Sequence, residues 1–250
     1  MSSTVSVRPE PFPALDVSPR QELALLARIL HAEGYDDHLA GHITSRQGDG
    51  TFLVNPLGLA WDELRASDVA RMDAEGNQIE GAWTISPAVL LHVVLHEQRD
   101  NAGVVIHNHP RWGTIWADCH RIPPIFDQTS AMYGGAIAID SSFDGPVNQR
   151  ANALEVVESL AGADVALMVN HGVLIVGKDI REAYLRAAVF EWRCRQAWHV
   201  ETLGSGVPMK DDVASAFGAL IATSAAKGNF DNWFAAAARR VLRHDPTVLD

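Results

Sequence analysis

The run Val104-Val105-Ile106-His107-Asn108-His109-Pro110 constrains this chain more than any other stretch. Three β-branched residues lead into His-x-His, and a proline then stops the segment. Residues i and i+2 of a strand share a face, so His107 and His109 project side by side. Two imidazoles on a buried strand are costly unless each finds a partner. A shared divalent transition metal supplies one: neutral imidazole nitrogens bind zinc at ~2.0–2.1 Å, and iron(II), manganese or cobalt take the same donors. A third donor completes a face with open positions for substrate. His171, in the turn Asn170-His171-Gly172 between the apolar runs 164–169 and 173–176, is the candidate.

The pattern on either side predicts the scaffold. Ser18-Pro19-Arg20-Gln21 combines a cap serine, a proline at the first helical position and a glutamine three after the cap. It opens a helix to about residue 33, closed by Gly34. Residues 43–46 and 51–55 flank Gln47-Gly48-Asp49-Gly50, and 69–73 and 78–81 flank Ala74-Glu75-Gly76-Asn77, so both pairs read as hairpins. Ser86-Pro87 repeats the cap-plus-proline signal and opens a helix to about residue 98. Residues 103–107 read as a buried strand, 110–118 as a short helix, 136–140 as a strand and 148–160 as a helix capped by Asn148. Asp179 caps a long helix to about residue 203, with Ile180, Ala183, Tyr184, Ala187, Cys194 and Trp198 on one face and Arg and Glu residues on the other. Hairpins interleaved with helices predict an α/β fold, a three-layer α/β/α arrangement around a mainly antiparallel sheet. Three regions follow: an extended arm over 1–17 marked by Pro9, Pro11 and Pro13, the domain at 18–203, and a helical tail at 204–250. The tail carries an alanine-rich helix near 232–242 and is expected to pack on the core or a neighbouring subunit.

Charge and composition narrow the partners. A formal charge of −11 is repelled by a phosphate backbone, which argues against nucleic acid. Apolar runs such as 103–106 and 136–139 fall far short of the roughly 20 residues that span a bilayer. The proline-marked start lacks the basic and apolar regions of a signal peptide. With only Cys119 and Cys194, no disulfide framework is expected, and a cytoplasmic location fits.

Further motifs carry a resemblance. Gly41-His42-Ile43-Thr44-Ser45-Arg46, the Val-Asn-Pro-x-Gly stretch at 54–58, the helix from Ser86, His107-x-His109-Pro110 and Asn170-His171-Gly172 together resemble the class II aldolase and adducin superfamily. The likeness runs from about 19 to 203. Asn55-Pro56-Leu57-Gly58-Leu59-Ala60-Trp61-Asp62-Glu63-Leu64, with Ala66-Ser67-Asp68 behind it, looks closer to the adducin-like branch. The resemblance implies a three-histidine metal at His107, His109 and His171 that stabilises an enediolate, and a protomer commonly assembled into a homotetramer with active sites at subunit boundaries. Three neutral imidazole donors favour zinc, with iron(II) or manganese as alternatives. The departures shape the chemistry. Ala88 stands where the fuculose-phosphate-like aldolases carry a proton-shuttling Glu. In their phosphate cradle Asn is here His42, Thr is Leu57 and the second Ser is Pro87, while Gly58 and Ser86 remain as substrate-binding candidates.

His42 then becomes the candidate proton donor, because imidazole exchanges a proton near neutral pH, with Tyr133 as the next candidate. Arg111 offers a bidentate partner for a substrate carboxylate. His92 and His96, four apart on one helix, have a spacing that can hold a metal, against a packing role. Together these imply a metal-dependent carbon-carbon lyase, of decarboxylase or aldolase type, acting on a small non-phosphorylated carboxylate or 2-oxo acid. The resemblance keeps two alternatives: a non-haem iron(II) oxygenase that cleaves aromatic 2-oxo acids, and a non-catalytic adducin-like binding module.

Overall fold

The computed structural model describes residues 15–142, 149–226, 228 and 231–250. The arm over 1–14 and the expected cap Asn148 lie outside them. Helix α1 (Pro19–Ala32) starts on the capping box read from the sequence: Ser18 accepts from the Gln21 backbone N–H, and the Gln21 side chain accepts from that of Ser18. Strands β1 (His42–Arg46), β2 (Phe52–Val54), β3 (Ala70–Met72) and β4 (Gln78–Glu80) form the two hairpins as one antiparallel run. Then come α2 (Val89–Gln98), β5 (Val104–Asn108), α3 (Arg111–Asp118), β6 (Ile137–Asp140), α4 (Arg150–Ser159), β7 (Val165–Met168) and β8 (Gly172–Gly177). Helices α5 (Ile180–Leu203), α6 (Asp211–Ala226) and α7 (Asp231–His244) close the chain.

The eight strands form one sheet in the order β4-β3-β2-β1-β5-β8-β7-β6. Only β6–β7 pairs in parallel; the other adjacent pairs run antiparallel. Strand β5 sits at the centre and is buried along its whole length. Its alternation sorts side chains between two layers. Val104 and Ile106 join the larger core with α1 and α5, whereas Val105 faces the cluster built on α2 and α4. His107, two residues after Val105, falls on that second face. Strand β1 follows suit: Ile43 enters the larger core, and His42 and Thr44 turn toward α2.

Four details differ from the sequence reading. Ser86-Pro87 does not cap α2, which begins at Val89 after a turn closed by Val89 N–H to Ser86 O, and no side chain caps it. Trp198 is 38% exposed, whereas Glu191 and Arg193 on the supposed polar side of α5 are buried. Glu191 is held inside by two backbone donors and Arg193 by the Pro123 carbonyl. Helix α6 was not expected from the sequence, since its alanine-rich stretch carries no clear apolar periodicity. The tail packs on the core through Phe234, Ala237, Ala238 and Val248. No helix among the described residues is long and apolar enough to cross a membrane.

Candidate metal centre

His107, His109 and His171 converge: one nitrogen from each lies within 4.8 Å of the others. They come from two places, the end of β5 and the tip of the β7–β8 hairpin. Each residue of Asn-His-Gly has a reason to be there. Asn170 takes φ +55°, a left-handed conformation Asn tolerates better than most residues. A Cβ on Gly172 would stand 2.5 Å from the Asn108 carbonyl oxygen and 2.6 Å from the His109 ring, so only glycine lets the hairpin tip close on β5. On the other side Gly41 has φ +96° and leaves room for the Asn108 amide, which donates to Ala40 O at 3.1 Å. Asn55, from the Asn-Pro-x-Gly stretch, accepts from the Ile43 N–H at 2.7 Å and so anchors the start of β1 beside β5.

The rings of His107 and His109 are held by second partners as metal-binding histidines are. His107 Nδ1 donates to the Val173 carbonyl at 2.9 Å, leaving Nε2 as the coordinating nitrogen. His109 Nδ1 lies 2.6 Å from the Asp37 carboxylate, a carboxylate–histidine pair that fixes the ring and raises its basicity. The opposite nitrogen, Nε2 of His109, is buried and has no hydrogen-bond partner among the described residues. An orphaned imidazole nitrogen beside two others is costly for a protein to keep, and a divalent metal removes the cost. The donor set therefore fits a single transition-metal ion with three nitrogen ligands. Burial holds His107 well below the usual imidazole range and brings His171 to about 4, so both rings are neutral lone-pair donors at neutral pH. The Asp37 carboxyl is lowered, first by its hydrogen bond to His38 and also by that to His109.

The three histidines line a pocket of about 240 Å³ with Leu39, Ala40, Gly41, His42, Leu57, Ser86, Ala88 and Leu91. Ala88, Leu57 and Ser86 thus share this pocket with the histidines. No Lys or Arg is among these lining residues. His42, paired across the sheet with His107, has its ring 5.1 Å from that ligand's ring. Burial, with the nearby His109 and His171, pushes His42 down to about 4.

Other sequence candidates fall elsewhere. Gly58 takes φ +92° in the turn beside Leu57 but does not line the pocket. Tyr133 lines a different cavity, next to Arg186 and α6, and its hydroxyl donates to Ala136 O at 2.9 Å. Arg111 is largely exposed and pairs with Asp36 at 2.8 Å. His92 and His96 form no metal cluster, because their nitrogens are taken by His42, Thr44 and the Ala102 carbonyl. The sequence reading missed two supporting groups. Asp37 was visible only as an acid near His38, with nothing to link it to His109 seventy-odd residues later. Glu191 accepts from the backbone N–H groups of Trp112 and Gly113 at 2.7 and 2.8 Å, capping the helix that follows the metal strand. Burial raises this carboxyl to about 7 against those two donors.

The pattern of known proteins agrees with this geometry. Residues 21–198 match the family described as Class II Aldolase and Adducin N-terminal domain. The chain belongs to the class II aldolase and adducin family. Among class II aldolase relatives, the 5-methylthioribulose-1-phosphate/5-deoxyribulose-1-phosphate aldolase of Rhodospirillum rubrum is 30% identical over 201 residues, covering 77% of this chain and 88% of that protein. The adducin branch is represented too, by an adducin-related protein of Schizosaccharomyces pombe, 28% identical over 68% of this chain and 55% of its own length. The fold is shared with an aldolase II superfamily protein from Pseudomonas syringae, with a TM-score of 0.83 at 23% identity over 94% of this chain and 98% of that one. Class II aldolase membership supports a metal-dependent, lyase-like enzyme in general.

Proposed function

We propose that this class II aldolase family member is a metal-dependent carbon-carbon lyase that acts on a small, non-phosphorylated carboxylate or 2-oxo acid. One observation carries the reading: three histidines converge on a pocket in which the aldolase acid is Ala88 and the lining holds no cation to meet a phosphate dianion. Zinc suits the three nitrogen donors best, and manganese or iron(II) take them as well. A divalent metal held there supplies a Lewis acid that polarises a carbonyl or carboxylate oxygen.

The chain's own groups do the rest. Asp37 and the Val173 carbonyl hold the His109 and His107 rings in place. Leu39, Leu57 and Leu91 give the pocket apolar walls, Leu91 buried and the other two about half exposed. Ser86 offers a hydroxyl to orient the substrate, and His42, which lines the same pocket with its ring 5.1 Å from that of His107, can take up a proton from the substrate and return it. Decarboxylation needs no base to open the bond, only a later proton donor, so it tolerates Ala88 better than aldol cleavage does. Working as a homo-oligomer belongs to the same reading.

The test is to load the protein separately with zinc, manganese and, without oxygen, iron(II), and to assay product release from 2-oxo and hydroxy acids and from L-fuculose 1-phosphate. Turnover of the acids with zinc or manganese and none of the sugar phosphate is expected. Efficient cleavage of the phosphorylated sugar with no turnover of any acid overturns the substrate class. Activity only with iron(II) and oxygen replaces the lyase by an oxygenase.

A further inference from the structure

Behind the pocket, His42, Thr44, His92 and His96 form one unbroken hydrogen-bonded chain, and all four are buried. Its far end is His96 Nδ1, 2.7 Å from the Ala102 carbonyl oxygen. His96 Nε2 meets Thr44 Oγ1 at 2.8 Å, Thr44 Oγ1 meets His92 Nδ1 at 2.9 Å, and His92 Nε2 meets His42 Nδ1 at 3.3 Å. The placement follows from two periodicities: His42 and Thr44 share one face of β1, and His92 and His96 share one face of α2.

The direction of every bond is set from the closed end. A carbonyl only accepts, so His96 Nδ1 carries the proton and the neutral ring leaves Nε2 bare. Thr44 has one hydroxyl proton and must give it to that nitrogen. Its oxygen then accepts from His92 Nδ1–H, which leaves His92 Nε2 bare in turn, to accept from His42 Nδ1–H. Four neutral groups bring four protons to four links, so the chain is satisfied with no charge in it. Reversing it would require a proton on His96. Arg46, whose guanidinium donates to the His96 backbone carbonyl, opposes a second positive charge there.

We propose that this chain locks His42 in the Nδ1–H tautomer and presents its bare Nε2 to the metal pocket as a hydrogen-bond acceptor, with Thr44, His92 and His96 as positioning residues. The proposal rests on the preceding reading only in taking that pocket as the substrate site. An acceptor at this point meets a substrate hydroxyl and repels a carboxylate or phosphate oxygen. The substrate class narrows accordingly: a hydroxylated acid whose hydroxyl faces His42 while its carboxylate or carbonyl faces the three histidines.

The experiment is a long-range proton–nitrogen correlation spectrum of the zinc-loaded protein carrying nitrogen-15 histidine, with His42 assigned by its loss in His42→Asn. The wild type is expected to show His42 protonated at Nδ1 and bare at Nε2, the reverse of the tautomer imidazole prefers in water. Thr44→Ser keeps the hydroxyl and should keep that signature; Thr44→Val is expected to lose it to a mixture. A wild-type His42 protonated at Nε2 overturns the proposal, and so does a Thr44→Val spectrum identical to the wild type. If Thr44→Val does not fold, the wild-type spectrum alone decides. Metal content and substrate turnover of the same samples test the functional reading separately: a correct tautomer in a protein that cleaves no acid removes that reading and leaves this one standing.

Discussion

Two sets of histidines flank His42, whose ring lies 5.1 Å from both His92 and His107, yet they differ in what their nitrogens are committed to. In His107 and His109 one nitrogen is spent on a fixed acceptor, the Val173 carbonyl or the Asp37 carboxylate, and the other faces the pocket. In His92 and His96 both nitrogens are spent inside the protein. All four are at most partly exposed, so burial does not separate ligand from scaffold. The count of uncommitted nitrogens does. His42 stands between the sets, with Nδ1 given to the inner chain and Nε2 left over.

The sharpest way to break this division is to remove a ligand. His107→Ala should lower turnover to background, since its Nε2 has no substitute nearby, whereas His96→Gln should leave metal-dependent turnover measurable; steady-state assays on metal-loaded proteins check both. Next, His42→Asn should lower turnover by about 10²-fold, the usual scale for a proton-exchanging group. Unchanged turnover would reduce His42 to packing.

The inner set should announce itself in acid stability. His96 is held at about 4 in the folded protein, against 6.5 for the free ring. Its folded value is depressed, so the stability it contributes is fully present above about pH 6.5 and is lost as pH falls toward 4, where the unfolded chain takes up a proton that the folded chain refuses. The loss amounts to about 3 kcal/mol for this one ring, and denaturant titrations of wild type and His96→Gln between pH 7 and 4 read it as a smaller slope in the variant. Asp37→Asn, which weakens the support of one ligand without removing it, should cost about 10- to 100-fold in metal affinity, measured by competition with a chelator. The smallest effect expected is for Glu191→Gln: the amide keeps one acceptor for two N–H donors, and thermal unfolding should show a loss of about 1 kcal/mol.

How much of this was legible in the sequence follows the range of the interactions involved. Caps, hairpins and the period-2 strand are set by neighbours, and the Ser18 capping box, the Asp179 cap and the central β5 emerged where their residues said. The convergence of His107, His109 and His171 was legible because a His-x-His on a buried strand and an Asn-His-Gly turn are each costly without a purpose. Asp37, Thr44 and Glu191 were not, since each acts on a residue brought close only by the sheet or by α5. Tyr133 and Arg111 show the converse: a plausible side chain near a motif in sequence can point into another cavity or out to solvent. Ser86 was read as a cap because Ser-Pro resembles one, but a turn intervenes and the serine faces the pocket instead.

Metal content tests the division of labour most directly. The protein, its His42→Asn variant and its His171→Ala variant would be loaded with zinc, passed over a desalting column and measured by atomic emission. One ion per chain is expected for the wild type and for His42→Asn, and none for His171→Ala. Zinc retained at full stoichiometry by His171→Ala, or lost from His42→Asn, would contradict the assignment of three ligands and one separate acceptor.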